Sequence, residues 1–373
     1  MAAVKNLVVG AGLSGSVVAR KIVEELDESV VVIDSRNHIG GNSYDYRDDV
    51  TGIVVHKYGP HIFHTNNKEV WDFISRFTKW RPYQHKVHGF VDGQFVPIPF
   101  NLNSLRMVFP RVLADKIENK LLDKIGFNKK VSILELRKVN DKDLEFLAQY
   151  IYEKIFLEYT IKQLGLSPNE IDSSVFGRVP IYISRDDRYF QDKYQGIPLN
   201  TYTEMFRKML EHPDIKVELK TPFDKAMKYE RLFWTGSVDE FFDYTFGVLP
   251  YRSVVFDFLT FNQEKFQAVA SVNNYPTNYD FTRMTEYKHF LADWSDKTIV
   301  SCEYPIDFSI GKNDRIYPIA NNDNIALCEK YIDLAKRLPN VYFFGRLGDY
   351  KYYDMDEAAE RAFEVFKKIK EGR

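Results

Sequence analysis

The hydrophobic period changes three times near the start of the chain. Leu7-Val8-Val9 is a short β-rich run. Val17, Val18, Ile22, Val23 and Leu26 then recur at three- and four-residue steps, the stripe of an amphipathic helix. Val30-Val31-Val32-Ile33 is wholly apolar, as expected of a parallel strand covered on both faces. The pattern predicts strand, helix, strand: one βαβ unit opening an α/β domain.

Between about residues 101 and 163 the texture becomes helical. Ile117, Leu121, Leu122 and Ile125 share one face, and Leu144, Leu147, Ala148, Ile151 and Tyr152 another, which Ile155, Phe156 and Tyr159 extend. Residues 167–180 turn to Ser, Pro, Asn, Asp and Gly, a loop signature. Beyond them β-branched and aromatic residues predict strands at 179–183, 251–258, 266–272 and 299–304. Two further strand ends repeat the α/β logic. Arg231-Leu232-Phe233-Trp234 runs into Thr235-Gly236, with Asp239 opening a short helix. Residues 341–344 run into Gly345-Arg346, and Asp354 or Asp356 caps a last helix.

Composition narrows the class. The chain has 373 residues, enough for two to three domains. Lys+Arg is 51 against Asp+Glu 53, so no global basic field grips nucleic acid. No run of about 18 apolar residues predicts a membrane span. The apolar stretch after Lys5 is interrupted by glycines, which argues against a signal peptide. Two cysteines, Cys302 and Cys328, fit neither a disulfide scaffold nor a zinc ribbon and suit a reducing, cytoplasmic compartment. The 24 tyrosines stand out, because tyrosine packs a ring and still presents a hydroxyl.

The strongest local motif is Gly10-x-Gly12-x-x-Gly15, set between a strand and a helix. The first glycine allows the tight turn, the second a close approach to pyrophosphate, the third helix–strand packing. Asp34 closes the next strand, placed to bind a ribose hydroxyl. A second glycine pair, Gly40-Gly41, followed by Asn42, suggests a cofactor longer than its adenosine half, and the pattern is that of FAD-binding flavoproteins. The cluster His56, His61 and His64 matches no zinc spacing, so no metal is expected. His61 reads either as a buried, hydrogen-bonded histidine or as a neighbour of the cofactor ring.

Taken together, VVGAGLSG, RNHIGGN, HKYGPHIFHT, EYTIKQ, YQGIP, TRMTEYKHF, YPI and GRLGDYKYYDMD resemble the bacterial-type UDP-galactopyranose mutase family, in the family's order from end to end. The resemblance implies a flavoenzyme interconverting UDP-galactopyranose and UDP-galactofuranose through a covalent flavin N5–sugar adduct, without net redox change. It implies reduced FAD, an external reductant such as NAD(P)H, a nucleotide-sugar substrate and often a homodimer. The implied fold is α/β: a Rossmann-like FAD-binding domain (1–80, 196–245 and 322–373), an inserted helical domain (101–177) with a mobile loop at 165–180, and an antiparallel β-sheet domain (81–100, 178–195 and 246–321).

Residue by residue, the resemblance makes Arg178 and Arg283 the diphosphate clamp, a task suited to the planar guanidinium fork, and places His61 in the catalytic set. Tyr189, Tyr317 and Tyr352 match phosphate-facing tyrosines. Phe156, Tyr159, Thr160 and Asn273 match the uridine end, and Glu303 a sugar-side carboxylate. Gly10, Gly12, Gly15, Asp34, Arg36, Gly41, Asn42, His61, Arg346, Asp354 and Met355 match cofactor contacts. Three positions depart from the family. Leu164 stands where a tryptophan stacks on uracil, Phe281 replaces a common tyrosine, and Tyr287 stands where histidine is frequent. Mutases of UDP-N-acetylgalactosamine or TDP-fucose therefore remain alternatives, with an FAD-dependent oxidoreductase behind them.

Overall fold

The computed structural model describes residues 3–165, 180–267 and 270–372. Its first sheet has five parallel strands in the spatial order Ile215–Leu219, Val30–Asp34, Val4–Val9, Tyr229–Trp234 and Val341–Phe343. Val8 and Val32 are fully buried. The expected helix spans Leu13–Leu26 and buries Val17, Val18, Ile22 and Val23. It packs on the last helix, Met355–Glu371, which buries Ala359, Ala362, Val365, Phe366 and Ile369. From Val4–Val9 the strand order runs outward in both directions, so a crevice opens at the carboxyl ends of the central strands.

The second sheet has seven strands in the order Tyr317–Pro318, Tyr251–Phe261, Thr298–Asp307, Arg283–Glu286, Val272–Asn274, Val87–Val91 and Gln94–Ile98. It is mixed rather than antiparallel throughout, because Val272–Asn274 runs parallel to Val87–Val91. Those two strands are far apart in sequence, so no hairpin constrains their direction.

The 101–165 region is helical, with Asn101, Ser132 and Asp141 capping three of its helices. Two details depart from the periodicity reading. A short strand, Lys130–Val131, pairs with Ile181–Tyr182. And the helix begun at Lys142 passes through a π segment, Tyr152–Leu157, before continuing as Glu158–Leu164. The expected strand at 266–272 is absent among the described residues: pairing begins at Val272. The amides of Phe266 and Gln267 are taken by the Glu286 carboxylate at 2.9 and 2.7 Å, so no ladder can use them.

Candidate functional site

The crevice is built where three strand ends meet. Gly10 has φ +106, and a Cβ there would lie 2.0 Å from Thr235 Oγ1, which donates to the Val9 carbonyl. The Gly10–Gly15 turn and the Gly40–Gly41 pair face each other. The Gly40 amide donates to Ala11 O at 2.8 Å, and a Cβ on Gly41 (φ +57) would reach 3.0 Å from Gly12 Cα. Gly345, at the third strand end, lies against Ser14 and Thr235. Helix Leu13–Leu26 starts at Gly12 with no side-chain cap and no acid in its first turn. Its amides therefore suit an anion such as a pyrophosphate. Backbone in contact with backbone, over an uncapped fourteen-residue helix, fits a dinucleotide.

Asp34 has a tie of its own: its oxygens accept from the Ala11 and Arg36 amides at 2.8 and 2.9 Å. It anchors the glycine turn and retains lone pairs for a ribose hydroxyl. Arg36 bonds Asn42 Oδ1 at 3.0 Å, pairs with Asp314 and lies 4.7 Å over the Tyr58 ring. Arg346 donates to the Tyr353 carbonyl and stacks 4.6 Å over Tyr352. Asp354 caps the last helix, with Met355 its first residue.

The histidine segment links this crevice to the second sheet. The His61 amide donates to His56 Nδ1 at 2.9 Å, which puts the proton of neutral His56 on Nε2. His61 Nδ1 in turn donates to the Gly59 carbonyl at 2.9 Å, leaving Nε2 as its acceptor. Burial, reinforced by the Arg346 charge, lowers the His61 pKa to about 4, so the ring is neutral. Gly59 itself lies beside Glu303: a Cβ there would be 3.7 Å from Oε1.

On the second sheet Arg283 and Glu303 are cross-strand partners and form a fork-to-fork pair, Nε–Oε1 2.9 Å and Nη2–Oε2 2.7 Å. Burial opposes the Arg283 charge, but Glu303 outweighs it and holds its pKa well above the ordinary value. Tyr159, Tyr189 and Tyr317 are all within electrostatic reach of this neighbourhood. Burial raises the Tyr159 and Tyr189 hydroxyls, so both stay protonated donors. The Tyr317 and Tyr352 rings stack at 6.0 Å, and Arg346 and Asp354 adjoin Tyr352. A guanidinium and several neutral hydroxyls thus line one side of the crevice, donors suited to a diphosphate, with the Glu303 carboxylate balancing the guanidinium.

The helix Glu158–Leu164 carries Tyr159, buried Thr160 and Leu164, and Phe156 lies in the π segment before it. Asn273, expected at the uridine end, and its neighbour Asn274 both have a buried Oδ1 without a partner among the described residues. The register pairs Asn273 with Met284, on the face opposite Arg283 and Glu303, and its amide bonds Gln267 Oε1. Asn274 is the asparagine across from Arg283. His85 was not anticipated. It is buried against Tyr189 and Phe190, its Nδ1 is unpartnered, and burial together with Arg283 lowers its pKa to about 3. Phe281 packs on Tyr275 and Tyr279, and Tyr287 bonds Ser301 Oγ at 2.9 Å. Arg178 lies outside the described residues, as does nearly all of the loop expected at 165–180.

Comparison with known proteins agrees with this geometry. The sequence profile described as UDP-galactopyranose mutase matches residues 154–352, and one described as an NAD(P)-binding Rossmann-like domain matches residues 8–77. A Klebsiella pneumoniae protein described as a probable UDP-galactopyranose mutase is 37% identical over 97% of this chain and 94% of its own. An Escherichia coli dTDP-fucopyranose mutase is 35% identical over 96% and 97%. The crystal structure of a reduced UDP-galactopyranose mutase superposes with a TM-score of 0.75 at 14% identity, over 100% of this chain and 95% of that one, and shares the fold.

Proposed function

The chain belongs to the UDP-galactopyranose mutase family, a family of isomerases, and on that premise we propose a flavin-dependent nucleotide-sugar mutase. Its leading substrate pair is UDP-galactopyranose and UDP-galactofuranose. The observation that carries the reading is the Arg283–Glu303 fork, ringed by tyrosines and joined through the histidine segment to a dinucleotide crevice. Reduced FAD, when bound, would supply a nucleophile for the anomeric carbon, with no net redox change. NAD(P)H or another external reductant would keep it reduced.

The protein's own part is positioning and charge. The glycine turn, Asp34, Arg36, Asn42, Arg346 and Met355 would hold the cofactor. Arg283, with Arg178, takes the diphosphate charge that grows as the anomeric bond breaks. Tyr189, Tyr317 and Tyr352 donate hydroxyls to the phosphates. Glu303 neutralises Arg283 in the free protein and faces the sugar once phosphate takes its place. Neutral His61 presents an acceptor, not a charge, toward the reacting centre.

A second reading has its own support. The dTDP-fucopyranose mutase is nearly as similar as the UDP-galactopyranose mutase, and Leu164 offers no ring for uracil. One experiment decides: the dithionite-reduced protein is incubated with UDP-galactofuranose, UDP-N-acetylgalactosamine or dTDP-fucofuranose, and products are separated by chromatography. Formation of UDP-galactopyranose is expected. Turnover of another of the three reassigns the substrate. Failure with all three, while a control mutase converts its own substrate, overturns the reading.

A further inference from the structure

Lys162 has a bonding pattern that the proposed chemistry leaves unused. It sits one turn after Tyr159 on the helix Glu158–Leu164. Its ammonium donates to three backbone carbonyls, Tyr275 O at 2.6 Å, Tyr279 O at 2.9 Å and Phe281 O at 3.3 Å. That uses all three of its protons. Among the described residues no carboxylate bonds it; Glu158 and Asp280 act only from a distance. Lysine usually leaves its ammonium in water, and ordering so long a side chain costs up to about 2 kcal/mol of rotamer freedom.

The three carbonyls belong to one loop, residues 275–282, that joins strand Val272–Asn274 to strand Arg283–Glu286. The loop begins directly after Asn274 and ends directly before Arg283, cross-strand partners on the candidate-site face. Its rings pack on one another, Tyr275 with Phe281 at 4.9 Å and Tyr279 with Phe281 at 5.0 Å. Its last residue, Thr282, is bonded through its amide to the Glu303 carbonyl at 2.9 Å. The same C-terminal turn of the helix is held by buried Arg252, whose Nε donates to Gln163 O at 3.1 Å. Held there, the helix is a rigid post, and Lys162 ties the loop to it.

We propose that Lys162 is a positioning residue of the nucleotide site: it binds the helix bearing Tyr159 and Thr160 to the loop that ends at Asn274 and Arg283, and so sets the spacing of the groups that receive a nucleoside diphosphate. The inference rests on the mutase reading for its ligand and on the three carbonyl bonds for its geometry. Lys162 touches no reacting atom, so its loss acts on binding.

The test uses the full-length flavoprotein with the variants K162M and K162R. UDP and dTDP affinity is measured by titration, steady-state kinetics on the reduced enzyme, and amide exchange across residues 275–282. K162M weakens nucleotide binding about tenfold, the weight of one hydrogen bond to a charged group. KM rises in proportion, kcat stays within about threefold, and exchange quickens in the loop alone. K162R, which keeps a charged donor, recovers part of the affinity. Should K162M not fold, K162Q is judged by the same readouts. Unchanged nucleotide affinity and unchanged loop exchange in a folded variant overturn the proposal. A wild-type protein that binds neither nucleotide overturns the mutase reading instead, and the ligand named here with it.

Discussion

On the mutase reading, Arg283 carries the central charge of the site. In the free protein its fork is matched by the Glu303 carboxylate, which is 3% exposed, so the guanidinium is held in place before any ligand arrives. A lysine there would keep the charge and lose the second, parallel bond. R283K should lower kcat/KM about a hundredfold, the scale of losing a bidentate charge-assisted contact in a water-poor site. Steady-state assay of the dithionite-reduced enzyme checks this, and a variant within threefold of wild type would falsify the clamp. The turn of Gly10 and Gly12 and its partner Asp34 could be read from the motif, because a glycine turn between strand and helix has few other uses, whereas Arg283 was singled out only by the family resemblance. Asn274 was not singled out: two adjacent asparagines alternate between the faces of a strand, and only the register tells which one lies opposite Arg283. His85 lies outside every motif and is recognised only by its burial among Tyr189, Phe190 and an unpartnered nitrogen.

Elements followed the hydrophobic period where that period was strong. The βαβ unit and the last helix fall within a few residues of their predicted spans. The π segment Tyr152–Leu157 was hidden, because Ile151, Ile155 and Tyr159 keep a four-residue step that an α-helix also allows. Glu286 explains why the expected strand does not begin at Phe266 and Gln267. This carboxylate is fully buried, accepts from the Phe266 and Gln267 amides and from Thr298 Oγ1 at 2.6 Å, and fastens the loop below the sheet. Burial raises its pKa, but His289, Thr298 and the two amides outweigh burial and bring it to about 2. E286Q keeps the shape but turns one acceptor into a donor that faces N–H groups. A loss of about 2 kcal/mol in urea unfolding is expected, the penalty for leaving buried donors unmatched. Unfolding midpoints equal to wild type would show that the loop is held by other contacts.

The molecule as a whole buries two histidines from separate segments against one aromatic ring. His56 and His85 come from different segments, yet both rings pack on Phe290, and they are 1% and 4% exposed. Burial lowers both pKa values to about 3, His61 adding to the effect at His56 and Arg283 at His85. In the unfolded chain each titrates near 6.5. A base whose folded pKa lies below its unfolded value favours unfolding once the unfolded form takes up its proton. Stability should therefore be level above pH 6.5 and fall below it, by about 1.4 kcal/mol per pH unit for each histidine. Glu286 works in the same direction at lower pH: its contribution is complete above about 4.3, its unfolded value, and is lost as pH drops toward 2. Urea unfolding of the flavin-free protein between pH 8 and 5 measures the slope, and H85N should reduce it by about half. A flat profile down to pH 5 would mean that these rings charge inside the folded protein. The expected acid lability has one physical cause: surroundings dry enough to strengthen a buried charge pair such as Arg283–Glu303 are also too dry for an imidazolium.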